Sequence, residues 1–354
     1  MSALIEAPPS PLDAAAALLA TQRDGRDWIA RFDRPTRWPD AVRRSLLTLR
    51  ALTHQHTGGL IAAATTSLPE KPGSALNWDY RYCWLRDATF TINALLNAGY
   101  HQEAQHWRDW ILGALAGTPE ELRIMYSVDG NRHINEWTVD WLPGYRWSRP
   151  VRVGNAAADQ RQIDALGEVV DAFATAVQAG LEPSPHERVV SRAIVERIET
   201  IWREPDQGIW ESRGQPRQYT YSKVMAWVGV DRFLRQSALH AGTDPAVLRR
   251  LAALRERIHA DICANGYHPA LGTFVSHFGG QELDADLLLL PIFGFLPAED
   301  PRIAATIAAI ERELMHDGLV MRKREEGLEP EGAFRLHVLA RRLPRPAASP
   351  RRSS

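Results

Sequence analysis

The strict alternation of long and short connections between helical segments constrains the fold of this chain more than any other feature. Apolar residues recur at helical spacing along the chain, as Val42, Leu46 and Leu49 do in the first segment. Strand-like alternation is nearly absent, so the sequence predicts an all-α fold. The predicted helical segments cover about 40–54, 87–98, 102–115, 156–179, 186–203, 222–240, 245–263, 284–293, 300–315 and a stretch from 332 onward.

The connections between these segments fall into two classes of length, four short turns and five long loops, which alternate along the chain. Because antiparallel helices send successive connections to opposite ends, this order predicts helical hairpins whose long loops all meet at one face. The alternative, a bundle with disordered loops, fits poorly, since the loops are rich in Trp, Tyr, Arg and Gly. The long loops span roughly 55–86, 117–155, 204–221, 264–283 and 316–331, and the short turns 98–102, 180–185, 240–244 and 295–300.

Composition and charge exclude several classes of function. The 354 residues include 42 basic and 43 acidic side chains, a net charge of −1, so no overall field favours nucleic acid or a membrane surface. No stretch reaches the roughly 20 apolar residues that span a bilayer, and the N-terminus lacks the basic region of a secretory signal. Cys83 and Cys263 are too few for a disulfide framework or a zinc site. So few cysteines are typical of a reducing compartment, and we therefore expect a cytoplasmic protein.

The first long loop ends in an aromatic and charged block, NWDYRYCWLRD, at residues 77–87. Aromatic faces, here Tyr80 and Trp84, stack on the apolar faces of sugar rings. Arg86 and Asp87 are suited to charge-assisted hydrogen bonds with sugar hydroxyls. The alternative is that Asp87 is an ordinary N-cap and that the aromatic residues belong to the core.

The second long loop ends in LPGYRWSRPVRVGN, residues 142–155, where aromatic and cationic side chains alternate. This pattern also occurs in proteins that bind single-stranded nucleic acid, but the neutral charge of the chain favours a wall that binds polyols. Trp147 is the main candidate for that wall, and burial of Trp147 in the core is the alternative.

The third long loop contains GIWESRG, residues 208–214, and supplies the candidate acid. Glu211 directly follows Trp210 in a turn flanked by two glycines. A carboxyl group beside an indole loses solvation, which raises its pKa and keeps it protonated near neutral pH. Such a group can act as a general acid on a leaving oxygen. The alternative is a solvated glutamate that pairs with Arg213.

These blocks together resemble glycoside hydrolase family 15, which comprises glucoamylases, glucodextranases and bacterial trehalases. The similarity rests on NWDYRYCWLRD, WSRPVRVGNAAADQRQIDALGE, GIWESRG and ELDADLLLLPIFGFLP, and it runs in order from about Trp28 to Phe334. The resemblance implies an (α/α)6 barrel, a toroid of paired helices. It also implies that Glu211 is the general acid and that substrate is bound by Tyr80, Trp84, Arg86, Asp87, Trp147, Trp210 and Arg322.

The family reaction is the hydrolysis of an α-glucosidic bond with inversion, without a metal or organic cofactor. In such a reaction a second carboxylate activates water, about 6.5–9.5 Å from the acid. The resemblance therefore implies a small carbohydrate substrate, such as a malto-oligosaccharide or trehalose. The sequence leaves the preferred glucoside and the oligomeric state open.

The chain also departs from the family pattern at both ends. Only a linker-like stretch, DWIARF, stands where bacterial members carry an N-terminal β-sandwich, so we divide the chain into a tail and linker helix (1–38), an incomplete catalytic domain (39–334) and a basic tail expected to be disordered (335–354). The block that carries the family's catalytic base has no counterpart after EGAF at 331–334. Nearby carboxylates are not expected to replace that base, because they precede the tenth helix rather than the twelfth; they are Glu325, Glu326, Glu329 and Glu331.

Three functional hypotheses follow from the sequence. With about ten of the twelve helices and no base, the chain is expected to be an incomplete toroid and an α-glucoside hydrolase with weak or no activity. The second hypothesis is a catalytically silent sugar-binding remnant of such an enzyme. The third is an all-α scaffold for protein partners, which predicts no affinity for sugars.

Overall fold

The computed structural model describes residues 13–116, 122–239 and 243–324. This part of the chain is dominated by helices, as the hydrophobic periodicity predicts, and none of the described helices is long and apolar enough to cross a membrane. Three short 3-10 helices, Tyr145–Trp147, Ala156–Asp159 and Ala285–Leu289, lie in the connections. The α-helices are α1 (Ala14–Ile29), α2 (Pro39–Leu52), α3 (Leu85–Asn97), α4 (His101–Ala114), α5 (Asp164–Gln178), α6 (Pro185–Ile201), α7 (Thr220–Leu239), α8 (Pro245–Asn265) and α9 (Pro301–Glu313).

Two predicted helical segments differ from the structure. The segment predicted at 156–179 is a 3-10 helix followed by α5, because Gln160 has an extended backbone that interrupts the helix. The segment predicted at 284–293 contains only the 3-10 helix Ala285–Leu289. Pro291 follows this leucine-rich run and has no N–H group to continue a helix. The stretch from 332 onward, the four glutamates near it and the tail lie outside the described residues.

The helices form two layers. The inner helices α3, α5 and α7 pack side by side, and α4, α6 and α8 pack behind them as an outer layer. Helix α5 is the most deeply buried, with apolar residues on nearly every side, such as Val169, Val170 and Phe173. The layered pattern agrees with an all-α toroid over these three pairs. The nine α-helices of the described residues leave the count of twelve as a prediction.

The outer helices α6 and α8, and α9 after them, begin with the same local signal. A serine or aspartate precedes a proline at the first helical position, as in Ser184–Pro185, Asp244–Pro245 and Asp300–Pro301. Each side-chain oxygen accepts a hydrogen bond from a backbone N–H in the first turn of its helix. Proline costs nothing there, because its missing N–H has no partner within a helix. The sequence therefore determines where these helices start.

The long loops contain short antiparallel strand pairs that the sequence did not predict. Most of these strands are two residues long, too short to show a period of two. Each odd-numbered strand pairs with the next strand along the chain, and β3 pairs with β4 although helices α3 and α4 lie between them. The strands are β1 (Thr66–Pro69), β2 (Asn77–Asp79), β3 (Cys83–Trp84), β4 (Met125–Tyr126), β5 (Trp137–Thr138), β6 (Arg152–Val153), β7 (Tyr267–His268), β8 (Thr273–Phe274), β9 (Met315–His316) and β10 (Leu319–Val320).

The linker-like stretch DWIARF lies at the end of α1 and packs on the turn between α3 and α4. Trp28 is buried and stacks on Tyr100, with ring centroids 4.1 Å apart. Its indole N–H donates to Glu103 at 2.5 Å, and Phe32 is buried in the same core. Helix α1 thus shares the hydrophobic core of the helical layers.

Candidate active site

A cavity of about 1060 Å³ opens at the face where the long loops meet. All five long connections contribute to its wall, with Tyr80 from the first, Asn155 from the second, Glu211 from the third, Ser276 from the fourth and Arg322 from the fifth. The alternation of connection lengths predicted this arrangement, and the structure confirms that the long loops meet at one face.

Glu211 lies in the wall of this cavity, in a tight turn between α6 and α7. Its backbone is in the left-handed region, with φ 56°, and Gly208 in the same turn has φ 68°. The N–H of Glu211 donates to the carbonyl of Gly208 at 3.0 Å, which closes the turn. Left-handed backbone is costly for a residue with a side chain, so the surrounding contacts must hold Glu211 in place.

Two side chains from the first long loop contact the Glu211 carboxylate. The indole N–H of Trp84 donates to Oε1 at 2.5 Å, and Nη1 of Arg86 lies 3.2 Å from the same oxygen. Nη1 of Arg86 also donates to the backbone carbonyl of Ile209 at 2.5 Å. The acid turn is therefore held by the indole of Trp84, at the end of β3, and by the guanidinium of Arg86, in the first turn of α3.

The environment of Glu211 raises the pKa of its carboxyl group. Burial is the main cause, and the charge of Arg86 and the hydrogen bond from Trp84 act in the opposite direction. The side chain is 20% exposed, so one edge of the carboxyl group reaches the cavity. The alternative of a solvated pair with Arg213 is wrong. Arg213 instead lies 3.2 Å from Glu136 and 3.9 Å from the ring centre of Trp78.

Asp87 projects from the first turn of α3 beside Arg86, whose Nη2 lies 3.2 Å from Oδ2. Its side chain is 39% exposed and lines the cavity. The alternative that Asp87 is the N-cap of α3 is wrong, since Trp84 occupies that position without a side-chain cap bond. An exposed carboxylate held by an arginine at the wall of a cavity is suited to accept hydrogen bonds from sugar hydroxyls.

Tyr80 lies beside Trp84 in the cavity wall, with ring centroids 6.0 Å apart. Burial raises the pKa of Tyr80 to about 12, so its hydroxyl group stays neutral. Trp84 is itself buried and packs in a small core cluster that Tyr80 and Tyr82 also touch. Trp84 can therefore be a core residue and a residue of the site at once. One edge of its ring packs in the core, and its N–H donates to Glu211.

Trp210 and Arg322 meet on the opposite side of the acid turn. The guanidinium carbon of Arg322 lies 4.4 Å from the ring centre of Trp210. The indole N–H of Trp210 donates to Oδ1 of Asp284 at 2.8 Å. Asp284 is buried, and burial raises its pKa to about 6. Sequence reasoning missed Asp284 and the nearby Asp286, although two aspartates before a leucine run in ELDADLLLL are the signal that could have found them.

Trp147 is 77% exposed, so the alternative that it is buried in the core is wrong. It is not among the residues that line the cavity, and its predicted place on the aglycone side stays a prediction. The next residue, Ser148, explains the orientation. Its hydroxyl accepts from the N–H of Gly73 at 2.8 Å and its carbonyl accepts from the side chain of Asn77 at 3.2 Å. These bonds hold the backbone inward at Ser148 while Trp147 points to solvent.

Buried carboxyl groups lie beneath the cavity at the start of α5. Glu168 accepts a hydrogen bond from the hydroxyl of Tyr221 at 3.0 Å, and burial raises its pKa to about 7, with Arg86 acting in the opposite direction. Burial, together with the charge of Glu168, raises the pKa of Asp164. Sequence reasoning placed these residues in a helix and assigned them no role. No group of three or more metal-ligating side chains occurs within 13–116, 122–239 and 243–324.

Comparison with known proteins identifies related sequences. The sequence model of the family described as glycosyl hydrolases family 15 matches residues 37–345. A trehalase of Mycolicibacterium smegmatis is 41% identical over 325 residues, which is 90% of this chain and 48% of the trehalase. A trehalase of Mycobacterium tuberculosis is 40% identical over 92% of this chain and 49% of its own length. The chain thus spans about half the length of these curated relatives.

A solved structure gives an independent comparison of the fold. A glycosidase variant in complex with glucose superposes with a TM-score of 0.63, over 88% of this chain and 75% of that chain. The two sequences are 21% identical. At this level of identity the similarity concerns the helical architecture alone.

Proposed function

Because this chain belongs to family 15 of the glycosyl hydrolases, we propose that it is a glycosidase acting on an α-glucosidic bond. Trehalose is the proposed substrate, since the relatives that are 40–41% identical over most of the chain are trehalases. Malto-oligosaccharides are the alternative substrates, from the family's glucoamylases. The observation that carries the proposal is Glu211, a carboxyl group with a raised pKa that faces a cavity and is held by Trp84 and Arg86.

In the proposed reaction, protonated Glu211 donates its proton to the leaving glycosidic oxygen. Arg86 and Asp87 bind hydroxyl groups of the sugar whose bond is cut, and Tyr80 stacks on its apolar face. Arg322 binds the substrate close to the cleavage point from the other side of the acid turn. Inversion requires water to attack from the opposite face of the sugar, activated by a second carboxylate about 6.5–9.5 Å away.

A second candidate function is a sugar-binding protein with weak or no hydrolysis. It requires only the residues that line the cavity and can hold a sugar, such as Tyr80, Arg86 and Asp87. Without a base the rate falls by typically 10²–10⁴-fold, while binding by the residues around Glu211 is retained. Both candidates use the division into 1–38, 39–334 and 335–354, which we retain as part of the proposal.

Glucose release from trehalose and from maltose tests the proposal. The full chain is compared with Glu211→Gln, whose side chain has nearly the same shape but cannot act as an acid. Glu196→Gln is the matched control, because Glu196 pairs with Arg192 on the outer helix α6. We expect the full chain and the control to release glucose and Glu211→Gln to lose about 10²–10⁴-fold in rate. Equal rates for the chain and Glu211→Gln favour the second candidate.

Binding of an iminosugar with glucose stereochemistry separates the two candidates from a protein scaffold. Calorimetry should detect binding to the full chain, and Asp87→Ala should weaken that binding by at least about tenfold, the equivalent of one charge-assisted hydrogen bond. If the full chain has no affinity for the iminosugar, neither sugar-directed candidate survives.

A further inference from the structure

Asp284 is a buried carboxylate that contacts the acid turn, although nothing in the proposed reaction uses it. It is 1% exposed and lies at the start of the 3-10 helix Ala285–Leu289. Its Oδ1 accepts two hydrogen bonds, from the indole N–H of Trp210 at 2.8 Å and from the backbone N–H of Asp286 at 3.0 Å. One oxygen thus joins the acid turn to the element that follows α8.

The backbone next to Asp284 also joins that element to the segment that carries Arg322. The N–H of Ala285 donates to the carbonyl of Arg322 at 2.8 Å, and Asp284 forms an isolated β-bridge with Lys323. The Arg322 guanidinium then lies over the Trp210 ring, 4.4 Å from its centre. Trp210 is therefore held at its edge by Asp284 and on its face by Arg322.

Trp210 directly precedes Glu211, whose left-handed backbone at φ 56° must be held by its surroundings. Trp84 and Arg86 hold the Glu211 side chain, and Arg86 also donates to the carbonyl of Ile209. The hydrogen bond from Trp210 to Asp284 anchors the turn at Trp210. The side-chain amide of Gln160 holds the following residues, because it donates to the carbonyls of Glu211 and Ser212 at 3.2 and 3.4 Å.

We propose that Asp284 is a positioning residue, which holds Trp210 against Arg322 and thereby fixes the orientation of the general acid Glu211. This inference rests on the proposed function for Glu211. It assigns Asp284 no contact with substrate. Loss of the anchor releases the turn on one side, and a displacement of the acid by about 1 Å is enough to cost about 100-fold in rate.

The charges around Asp284 give the proposal a pH-dependent signature. Burial raises the pKa of Asp284 to about 6, while Lys323 and Arg322 act in the opposite direction. Asp286, two positions along the chain, also has a raised pKa, caused by burial and by the charge of Asp284. Below about pH 6 Asp284 is protonated, and a neutral carboxyl group is the weaker acceptor for the Trp210 indole.

The indole N–H signals of protein labelled with ¹⁵N-tryptophan test the contact directly, with Trp210→Phe and Trp84→Phe used for assignment. The Trp210 signal should titrate with a midpoint near pH 6 in the full chain, as the pKa of Asp284 requires. Asp284→Asn keeps a carbonyl acceptor, so the signal should stay hydrogen-bonded but lose this midpoint. Asp300→Asn is the matched control, since Asp300 also caps a helix but lies on α9, and it should keep the midpoint.

Asp284→Leu removes the acceptor and tests the positioning itself. The Trp84 indole, which donates to Glu211, should then change its signal together with that of Trp210. On an α-glucoside that the full chain hydrolyses, kcat should fall about 10- to 100-fold in Asp284→Leu with KM changed by less than about threefold. Asp284→Asn should restore kcat to within about threefold of the full chain at pH 7.

Wild-type positions for the Trp84 and Trp210 signals in Asp284→Leu, or an unchanged kcat, overturn the proposal. A pH 6 midpoint that persists at Trp210 in Asp284→Asn overturns it as well, and this variant decides the matter if Asp284→Leu does not fold. If the full chain releases no glucose, the proposed function fails, whereas the indole signals still report whether Asp284 fixes the acid turn.

Discussion

The two ends of the helical layers are built in different ways. At the end with the short turns, each contact that starts a helix is local, as where Asp244 caps the N–H of Ala246 two positions along the chain. At the end with the cavity, the contacts that hold the acid turn join residues that are far apart in the sequence. Trp84 and Glu211 are 127 positions apart, and Trp210 and Asp284 are 74 positions apart. At the turn end the starts of α6, α8 and α9 are set by residues close in the sequence, whereas the cavity forms only once the layers have packed.

The two ends also differ in backbone strain and in the number of buried carboxyl groups. The cavity end contains Glu211 in left-handed backbone and the buried carboxyl groups of Asp164, Glu168, Asp284 and Asp286. Buried carboxyl groups with raised pKa values reduce stability at neutral pH, and active sites are where proteins tolerate such costs. The turn end carries helix caps, each of which adds about 1 kcal/mol, and one buried carboxyl group, Glu187, which pairs with Arg108.

The largest expected effect comes from breaking the link between α3 and the acid turn. Arg86→Met removes the cation that contacts Glu211 and Asp87 and the donor to the carbonyl of Ile209. Glucose release should fall by at least about 10²-fold, because the acid loses its orientation and the sugar its charged ligand. Arg302→Met, which breaks a similar pair with Asp300 on α9, should leave the rate unchanged. Equal losses in the two variants would show that general stability, and not the site, sets the rate.

Gly208→Ala at the cavity end and Gly180→Ala at the turn end compare the cost in stability of the same substitution. Gly208 has φ 68°, and an added Cβ would lie 2.8 Å from the ring of Tyr219, so strain and a clash both act. Gly180, in the turn after α5, has φ 96° and open space around it, so only backbone strain acts. We expect a loss of unfolding free energy of about 2–4 kcal/mol for Gly208→Ala and about 1 kcal/mol for Gly180→Ala. Denaturant titration measures both, and a larger loss at Gly180 would contradict the comparison.

Glu168→Gln tests how much a buried carboxyl group at the cavity end costs in stability as the pH rises. Burial raises the pKa of Glu168 from 4.5 to about 7, so the folded protein holds a proton that the unfolded chain has released. Its contribution to stability is complete below about pH 4.5 and is lost as the pH rises through 7. The melting temperature of Glu168→Gln relative to the full chain should therefore be a few degrees higher at pH 8 than at pH 5. Glu199→Gln serves as the control on α6, since Glu199 is 23% exposed and its carboxylate pairs with Arg250.

The smallest expected effect is at the turn end. Asp244→Ala removes the N-cap of α8, which should cost about 1 kcal/mol of unfolding free energy and leave sugar binding and glucose release unchanged. Thermal unfolding and the glucose assay measure the two quantities on one preparation. A loss of activity in Asp244→Ala beyond its loss of stability would show that the two ends are coupled.

Most of the helices and the place of the site were predictable from local patterns. Apolar spacing predicted the helical segments that became α2–α9, and the order of connection lengths predicted that Tyr80, Glu211 and Arg322 share one face. The errors lie where a pattern is too short to read. The run of four leucines after Asp284 is apolar at every position, so its spacing cannot separate an α-helix from the 3-10 helix that is found there. The two-residue strands are too short to show any alternation.

The sequence by itself thus determined the helices and the face that carries the cavity, because these depend on local spacing and on the order of the connections. The indole that donates to Glu211 belongs to the distant Trp84 and not to the adjacent Trp210. Only the tertiary structure decided that Asp284 contacts Trp210, that Glu168 lies beside Tyr221 and that Trp147 points to solvent. The physical reason is that burial and distant partners set these contacts, and neither is defined until the inner helices have packed against one another.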